Sequence, residues 1–301
     1  MPRHSTRRSV LSPSVCAAAL PLVGSAAGGA YPVGRPPDGG PVAVAAVSSA
    51  SGPAPAAGRS EEPEVDLDAE PAGALASLAG GADVSVAVLD TTTGKRAAYG
   101  DGAYDTASIV KVDILAALLL SAQDEGRKLN GAELAYAEAM IRRSDNTSAT
   151  ELFRSVGGEE GLDAANRRLG LTGTRAAHAW GLTQTTAVDQ VRLLEAVFGT
   201  DSELSAASRA CVAELMGQVE ADQRWGVSAA GTDAALKNGW MPRTTTGLWD
   251  VNSIGRVASG GHTLLVAVLS RGHTTKEAGI ALVESVAKAA ARVAGAVDAT
   301  G

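Results

Sequence analysis

The stretch Asp83-Val-Ser-Val-Ala-Val-Leu-Asp90 alternates as a β-strand does. Thr93-Gly94 supplies a turn, and residues 95–99 read as the partner strand of a hairpin. Just upstream, residues 72–79 read as a short helix. Downstream, Thr106-Ala-Ser-Ile-Val-Lys-Val-Asp-Ile-Leu-Ala-Ala-Leu-Leu-Leu120 is apolar almost all round, which predicts a buried helix. Helical patterns continue to about Met216, with pieces at residues 131–142, 147–156, 161–169 and 187–198. Strand patterns return at residues 233–237, 248–257 and 262–269, and an amphipathic helix over residues 275–293 closes the chain. Two strands at one end and three at the other, enclosing helices, exclude a βαβ repeat. The pattern predicts an α/β (α+β) sandwich. One five-stranded antiparallel sheet is built from both termini, with flanking helices and an inserted all-helical subdomain. A cleft is expected where the sheet meets the helical part.

Composition marks the borders of this unit. Eleven of the 12 prolines lie at or before Pro71, and Pro242 stands alone beyond it. Residues 1–30 read as an export signal, with Arg3, Arg7 and Arg8 ahead of a weakly apolar, Ala-rich stretch. The run Thr6-Arg7-Arg8-Ser9-Val10-Leu11 resembles a twin-arginine signal, an address for folded export in bacteria. Cleavage is compatible with Ala26 or Ala30, and a disordered basic tail is the competing reading. Residues 31–65, rich in Ala, Gly, Pro and Ser, read as a disordered linker, because they offer too little apolar surface to offset ordering. The folded domain is set at residues 66–298, and a secreted or extracytoplasmic location follows. Loss of the three signal arginines moves the net charge from −7 to −10. An acidic chain argues against nucleic-acid binding. Of the two cysteines, Cys16 leaves with the signal, so neither a disulfide scaffold nor a cysteine zinc site is available. No apolar run reaches the roughly 18 residues of a transmembrane span. A monomer is expected.

The buried helix carries Ser108 and Lys111, three apart and therefore neighbours on one face. Burial among Ile109, Val110, Val112 and Ile114 disfavours the ammonium, so the Lys111 amine can act as a base. A serine hydroxyl beside such an amine is an activated nucleophile, and a helix N-terminus offers N–H groups for an oxyanion. The spacing alone is weak. Ser285 and Lys288 repeat it in the last helix with nothing around them. Context comes from Ser144-Asp145-Asn146, 36 residues on, and from Lys237-Asn238-Gly239, 93 residues further, at the end of a predicted strand. A loop serine can relay a proton, an asparagine amide can hold a substrate amide, and a lysine can meet a carboxylate. Alone, each motif reads as a helix cap or a strand end.

Together and in this order, the three motifs resemble the serine β-lactamase and penicillin-binding-protein superfamily, most nearly class A β-lactamases. The resemblance covers residues 68–296 and includes Thr185-Thr186 and the strand carrying Asn252. It implies that Ser108 is the acylated nucleophile, Lys111 its proton acceptor and Ser144 the proton shuttle to the leaving nitrogen. Asn146 would bind the acyl side chain and Lys237 the substrate carboxylate. Asn238 and Gly239 complete the strand motif, and the N–H groups of Ser108 and Trp240 would form the oxyanion hole. Substrates would be small β-lactams or D-Ala-D-Ala-like peptides, with no cofactor and no metal.

Three departures qualify the resemblance. Asn238 stands where the family usually has Thr or Ser, and as a substrate-binding residue its amide can still hydrogen-bond a carboxylate. The stretch from Ser108 to Ser144 is shorter, which removes a rim of the cleft. The loop Ala177-His-Ala-Trp-Gly-Leu-Thr-Gln-Thr-Thr186 holds no acid, whereas class A enzymes place a water-activating glutamate there. The deacylation base is therefore unassigned. His178 is the nearest basic side chain, with an ordinary loop histidine as the competing reading. The resemblance implies an acyl-enzyme at Ser108 and β-lactam hydrolysis, slowed by the missing glutamate. A D,D-peptidase-like cell-wall enzyme and a non-hydrolytic penicillin-binding protein stay open. All four tryptophans follow the second motif, and an aromatic-lined cleft is expected.

Overall fold

The strand built on residues 83–90 is buried on both faces, because its two rows of side chains enter different cores. A computed structural model describes the backbone of residues 65–66 and the chain from residue 82 to residue 296. The expected export signal, nearly all of the linker and the helix at residues 72–79 lie outside the described residues. Strands β1 (Val65–Asp66), β2 (Asp83–Asp90) and β3 (Arg96–Tyr99) come first, then the short β4 (Tyr104–Asp105). The helical part follows as α1 (Val110–Asp124), α2 (Gly131–Arg142), α3 (Asn146–Ser155) and α4 (Gly158–Arg168). After β5 (Gln184–Thr185) come α5 (Ala187–Phe198) and α6 (Ala206–Gly217). Strands β6 (Thr232–Pro242), β7 (Trp249–Ser259) and β8 (His262–His273) lead into α7 (Lys276–Ala296).

The main sheet has the order β1-β3-β2-β8-β7-β6. Its five long strands pair antiparallel, and β1 adds two residues in parallel to β3. Strand β2, from the start of the fold, pairs along its whole length with β8, near its end. This pairing joins the two ends of the fold into one sheet, as the patterns predict. Val84, Val86 and Val88 face the core shared with Val283, Val286 and Ala290 of α7. Ala87 and Leu89 face the core shared with α1 and α5. Strand β8 divides the same way, which is why its sequence is nearly continuously apolar. Among the described residues no helix is long and apolar enough to cross a membrane.

Two elements differ from the sequence expectation in ways that matter for the site. Ser108 lies in a 3-10 turn, Ala107–Ile109, ahead of the α-helix rather than inside it. Ala107 takes φ +47°, a left-handed conformation that costs a non-glycine residue free energy and persists only when neighbours impose it. Lys237-Asn238-Gly239 lies within an eleven-residue strand and not at its end. The strand runs on because β7 keeps pairing as far as Trp249, opposite Pro242, and proline is tolerated on a sheet edge.

Candidate active site

The Ser108 turn is clamped from three directions. Thr106 N donates to Thr183 O at 2.9 Å, which ties the turn to the loop after α4. The side chain of Asn252 on β7 donates to Asp105 O at 2.8 Å and Thr106 O at 3.2 Å, and accepts from Ser270 N at 3.0 Å. Asn252 is fully buried, and these bonds satisfy an amide that would otherwise be costly inside. On the third side β6 passes so near that a β-carbon on Gly239 would stand 2.7 Å from both Ser108 N and Thr106 O. Only glycine fits there. The edge strand thus runs directly beside the Ser108 amide.

Lys111 follows on the first turn of α1 and is 0% exposed. Its Nζ lies 2.6 Å from Ser144 O, 3.0 Å from Ser144 Oγ and 2.8 Å from Asn146 Oδ1. Burial lowers its pKa to about 7, with the Asp145 charge opposing that shift. A neutral amine fits the three contacts. It donates to the carbonyl and amide oxygens and accepts the Ser144 hydroxyl proton. Lys237, on β6, completes the group. Its Nζ stands 3.0 Å from Ser144 Oγ and 3.0 Å from Asn238 O. Burial, reinforced by the nearby Lys111 charge, holds Lys237 well below the ordinary lysine range.

Ser144 is therefore a hydroxyl between two amines. It is positioned by backbone as much as by side chain, since φ at Ser144 is +58° in the turn between α2 and α3. Asp145 caps α3 by accepting from Ser148 N at 2.7 Å. The Ser148 hydrogen bonds hold its carboxyl below the usual range. The helix cap that this motif resembles when read alone is real, and the same turn also presents Ser144 and Asn146 to Lys111.

Not every expected residue joins this group. The Asn238 side chain, next to Lys237, is on the opposite face of β6. Its amide donates to Gln223 O at 2.8 Å and Trp225 O at 3.0 Å, so in this geometry it is committed to the fold and does not face the Ser108 turn. Trp240 packs on that same far face, with its ring 5.8 Å from that of Trp225 and the Lys276 amine 3.9 Å above it. Only its backbone runs beside the Ser108 turn. Trp225 and Trp249 also belong to the core against α7. The aromatic-lined cleft thus reduces to Trp180. His178 is wholly exposed and pairs with Glu159 at 3.3 Å. The residues that sequence reasoning passed over are Thr183 and Thr150. Trp180 itself stood out only as part of the shortened loop. Its ring centroid stands 5.0 Å from Lys111 Nζ and its Nε1 donates to Thr150 Oγ1 at 3.2 Å.

The profile of the β-lactamase enzyme family matches residues 132–294, just over half of the chain. Its match takes in the Ser144 and Lys237 motifs and begins after Ser108 and Lys111. No curated protein sequence matches the chain. Among solved structures, a class A β-lactamase from Bacteroides cellulosilyticus DSM 14838 is similar, with a TM-score of 0.65 and 17% identity over 75% of this chain and 98% of that one. A variant of the reconstructed class A β-lactamase of the last common ancestor of Gram-negative bacteria gives a TM-score of 0.64. It is 25% identical over 77% of this chain and 100% of that one. A point mutant of PBP-A, solved as an acyl-enzyme complex with penicillin G, gives a TM-score of 0.66. Its identity is 20%, over 78% of this chain and 99% of that one.

Proposed function

The chain belongs to the β-lactamase enzyme family as a β-lactamase-like serine hydrolase, and from that premise we propose that it opens β-lactams by forming an acyl-enzyme at Ser108 and turns them over slowly. The observation that carries this reading is the line Lys111 Nζ–Ser144 Oγ–Lys237 Nζ, with 3.0 Å at each step and both amines below their ordinary pKa. Neutral Lys111 takes the Ser108 hydroxyl proton, and Ser108 Oγ bonds to the lactam carbonyl carbon. The N–H groups of Ser108 and Trp240 hold the oxyanion. As the ring C–N bond breaks, Ser144 gives its proton to the leaving nitrogen and recovers one from Lys111, which holds the proton taken from Ser108. Asn146 holds the acyl side chain. A substrate carboxylate arriving at Lys237 supplies the counter-charge that burial denies it, so the lysine takes up a proton on binding. The Arg-bearing residues 1–30 export the protein.

A second reading, a D,D-peptidase acting on D-Ala-D-Ala-like peptides, is favoured by one observation. The group over Lys111 on the loop side is the ring of Trp180 and not a carboxylate. Both substrates offered to one preparation separate the readings. A chromogenic β-lactam is expected to give one equivalent of product in a burst and then a slow steady rate, with no D-alanine released from a D-Ala-D-Ala peptide. D-alanine release outpacing β-lactam turnover would move the assignment to the peptidase. The absence of both reactions would remove it.

A further inference from the structure

We propose that Trp180 sets the lifetime of the acyl-enzyme, its indole closing the one side of the Lys111 amine from which a hydrolytic water could be activated. This rests on the reading of Ser108 as the acylated residue. Three contacts of Lys111 Nζ go to the oxygens of Ser144 and Asn146, and a π face lies 5.0 Å away on the loop side. A ring face attracts the ammonium form but neither removes a proton from water nor orients one strongly. The indole is anchored on α3. Its Nε1 donates to Thr150 Oγ1 at 3.2 Å, and that hydroxyl is itself fixed by donating to Asn146 O at 3.0 Å. The backbone of the same loop is tied to the nucleophile turn, where Gly181 O accepts from Thr106 Oγ1 at 3.5 Å, two residues before Ser108. The loop therefore bridges the nucleophile turn and α3, with the ring facing the Lys111 amine. Trp180 is a positioning residue. It excludes water and touches no reacting bond.

Hydrolysis of the ester needs a water whose oxygen bonds to the acyl carbon while its proton passes to a base. The C–Oγ bond then breaks, Ser108 Oγ takes that proton, and the carboxylic acid leaves. Removing the ring opens the Lys111 amine to serve as that base. Intact-mass measurements after mixing the full chain with penicillin G give the acylation rate and the adduct lifetime separately. Trp180→Ala is expected to shorten the adduct half-life about tenfold or more while acylation stays within roughly threefold, and Trp180→Phe, which keeps a ring but loses the bond to Thr150, to give an intermediate lifetime. A merely structural role would move both rates together. Should Trp180→Ala melt below the assay temperature, Thr150→Val frees the indole from its anchor and is expected to shorten the lifetime in the same direction. Adducts of equal lifetime in wild type and variants would overturn the inference and leave the nucleophile assignment standing. No adduct in the wild type would overturn that assignment, and the inference with it.

Discussion

Lys111 and Lys237 aim their amines at the same oxygen, each Nζ standing 3.0 Å from Ser144 Oγ. Two ammonium groups sharing one hydroxyl in a buried site would repel, and burial already disfavours either charge. The hydroxyl is thus poised to donate to one amine and accept from the other, which is what a proton relay requires.

Ser144→Ala removes the bridge without changing volume much. Acylation by a chromogenic β-lactam is expected to slow by about 10²–10³-fold, in the range of a lost general acid–base group. Stopped-flow measurement of the burst rate checks it, and an unchanged burst would take Ser144 out of the proton path.

With the Lys111 pKa lowered to about 7 by burial, its amine becomes a base as pH rises through that value. The acylation rate is expected to climb between pH 6 and 8 and to level above. Lys111→Arg, which stays protonated, should abolish the rise. A flat wild-type profile over that range contradicts a base of this pKa.

Gly239→Ala puts a β-carbon 2.7 Å from Ser108 N and Thr106 O, so β6 must move off the nucleophile turn. The expected result is a stability loss of about 1–3 kcal/mol from overpacking and a larger fall in acylation rate, because the oxyanion donors separate. Denaturant unfolding and burst kinetics on the same sample read both. Wild-type acylation in this variant would contradict the placement of β6.

Beneath the site, Asp113 on α1 is completely buried, and its pKa rises to about 8 through burial and the nearby Asp189 charge. Among the described residues neither of its oxygens is within hydrogen-bond geometry of a partner, nor is Gln190 Oε1, although the Gln190 side chain lies against the carboxyl and opposes the rise. A protonated Asp113 donating to that oxygen satisfies both groups. The folded state then holds a proton that the unfolded chain releases near pH 4, so stability falls as pH rises from about 4 to 8. Between pH 5 and 8 the wild type is expected to lose more thermal stability than Asp113→Asn, whose amide is neutral throughout. Equal losses would mean that Asp113 is ionised in the fold.

The alternation in residues 83–90, the all-round apolar residues 106–120 and the three late strand patterns suffice to predict the sheet and its helical insert. The spacing rules place Ser108 near Lys111, and the motif order places Ser144 and Lys237 with them. What sequence periodicity cannot carry is the direction of a side chain set by long-range packing. Strand parity already puts Asn238 on the face opposite Lys237, but the Gln223 and Trp225 carbonyls that take it up there come only from the packing. Strand parity also carries Trp240 toward α7. The left-handed Ala107 and Ser144 are ordinary residues in the sequence, and what holds them, the clamp on the Ser108 turn for one and the Lys111 contacts for the other, comes from distant parts of the chain. Asn252 shows only as a polar residue within a strand pattern. Its role appears once Asp105 and Thr106 are brought 146 to 147 residues back to it. Trp180 is visible as a tryptophan in a short loop, but its place over Lys111 depends on how that loop packs on α3.

The central claim is that Ser108 becomes acylated, and peptide mapping of the protein after a brief exposure to penicillin G tests it most directly. The expected result is a single penicilloyl adduct on the peptide containing Ser108, absent from Ser108→Ala. An adduct on another residue, or one that persists in Ser108→Ala, would contradict it.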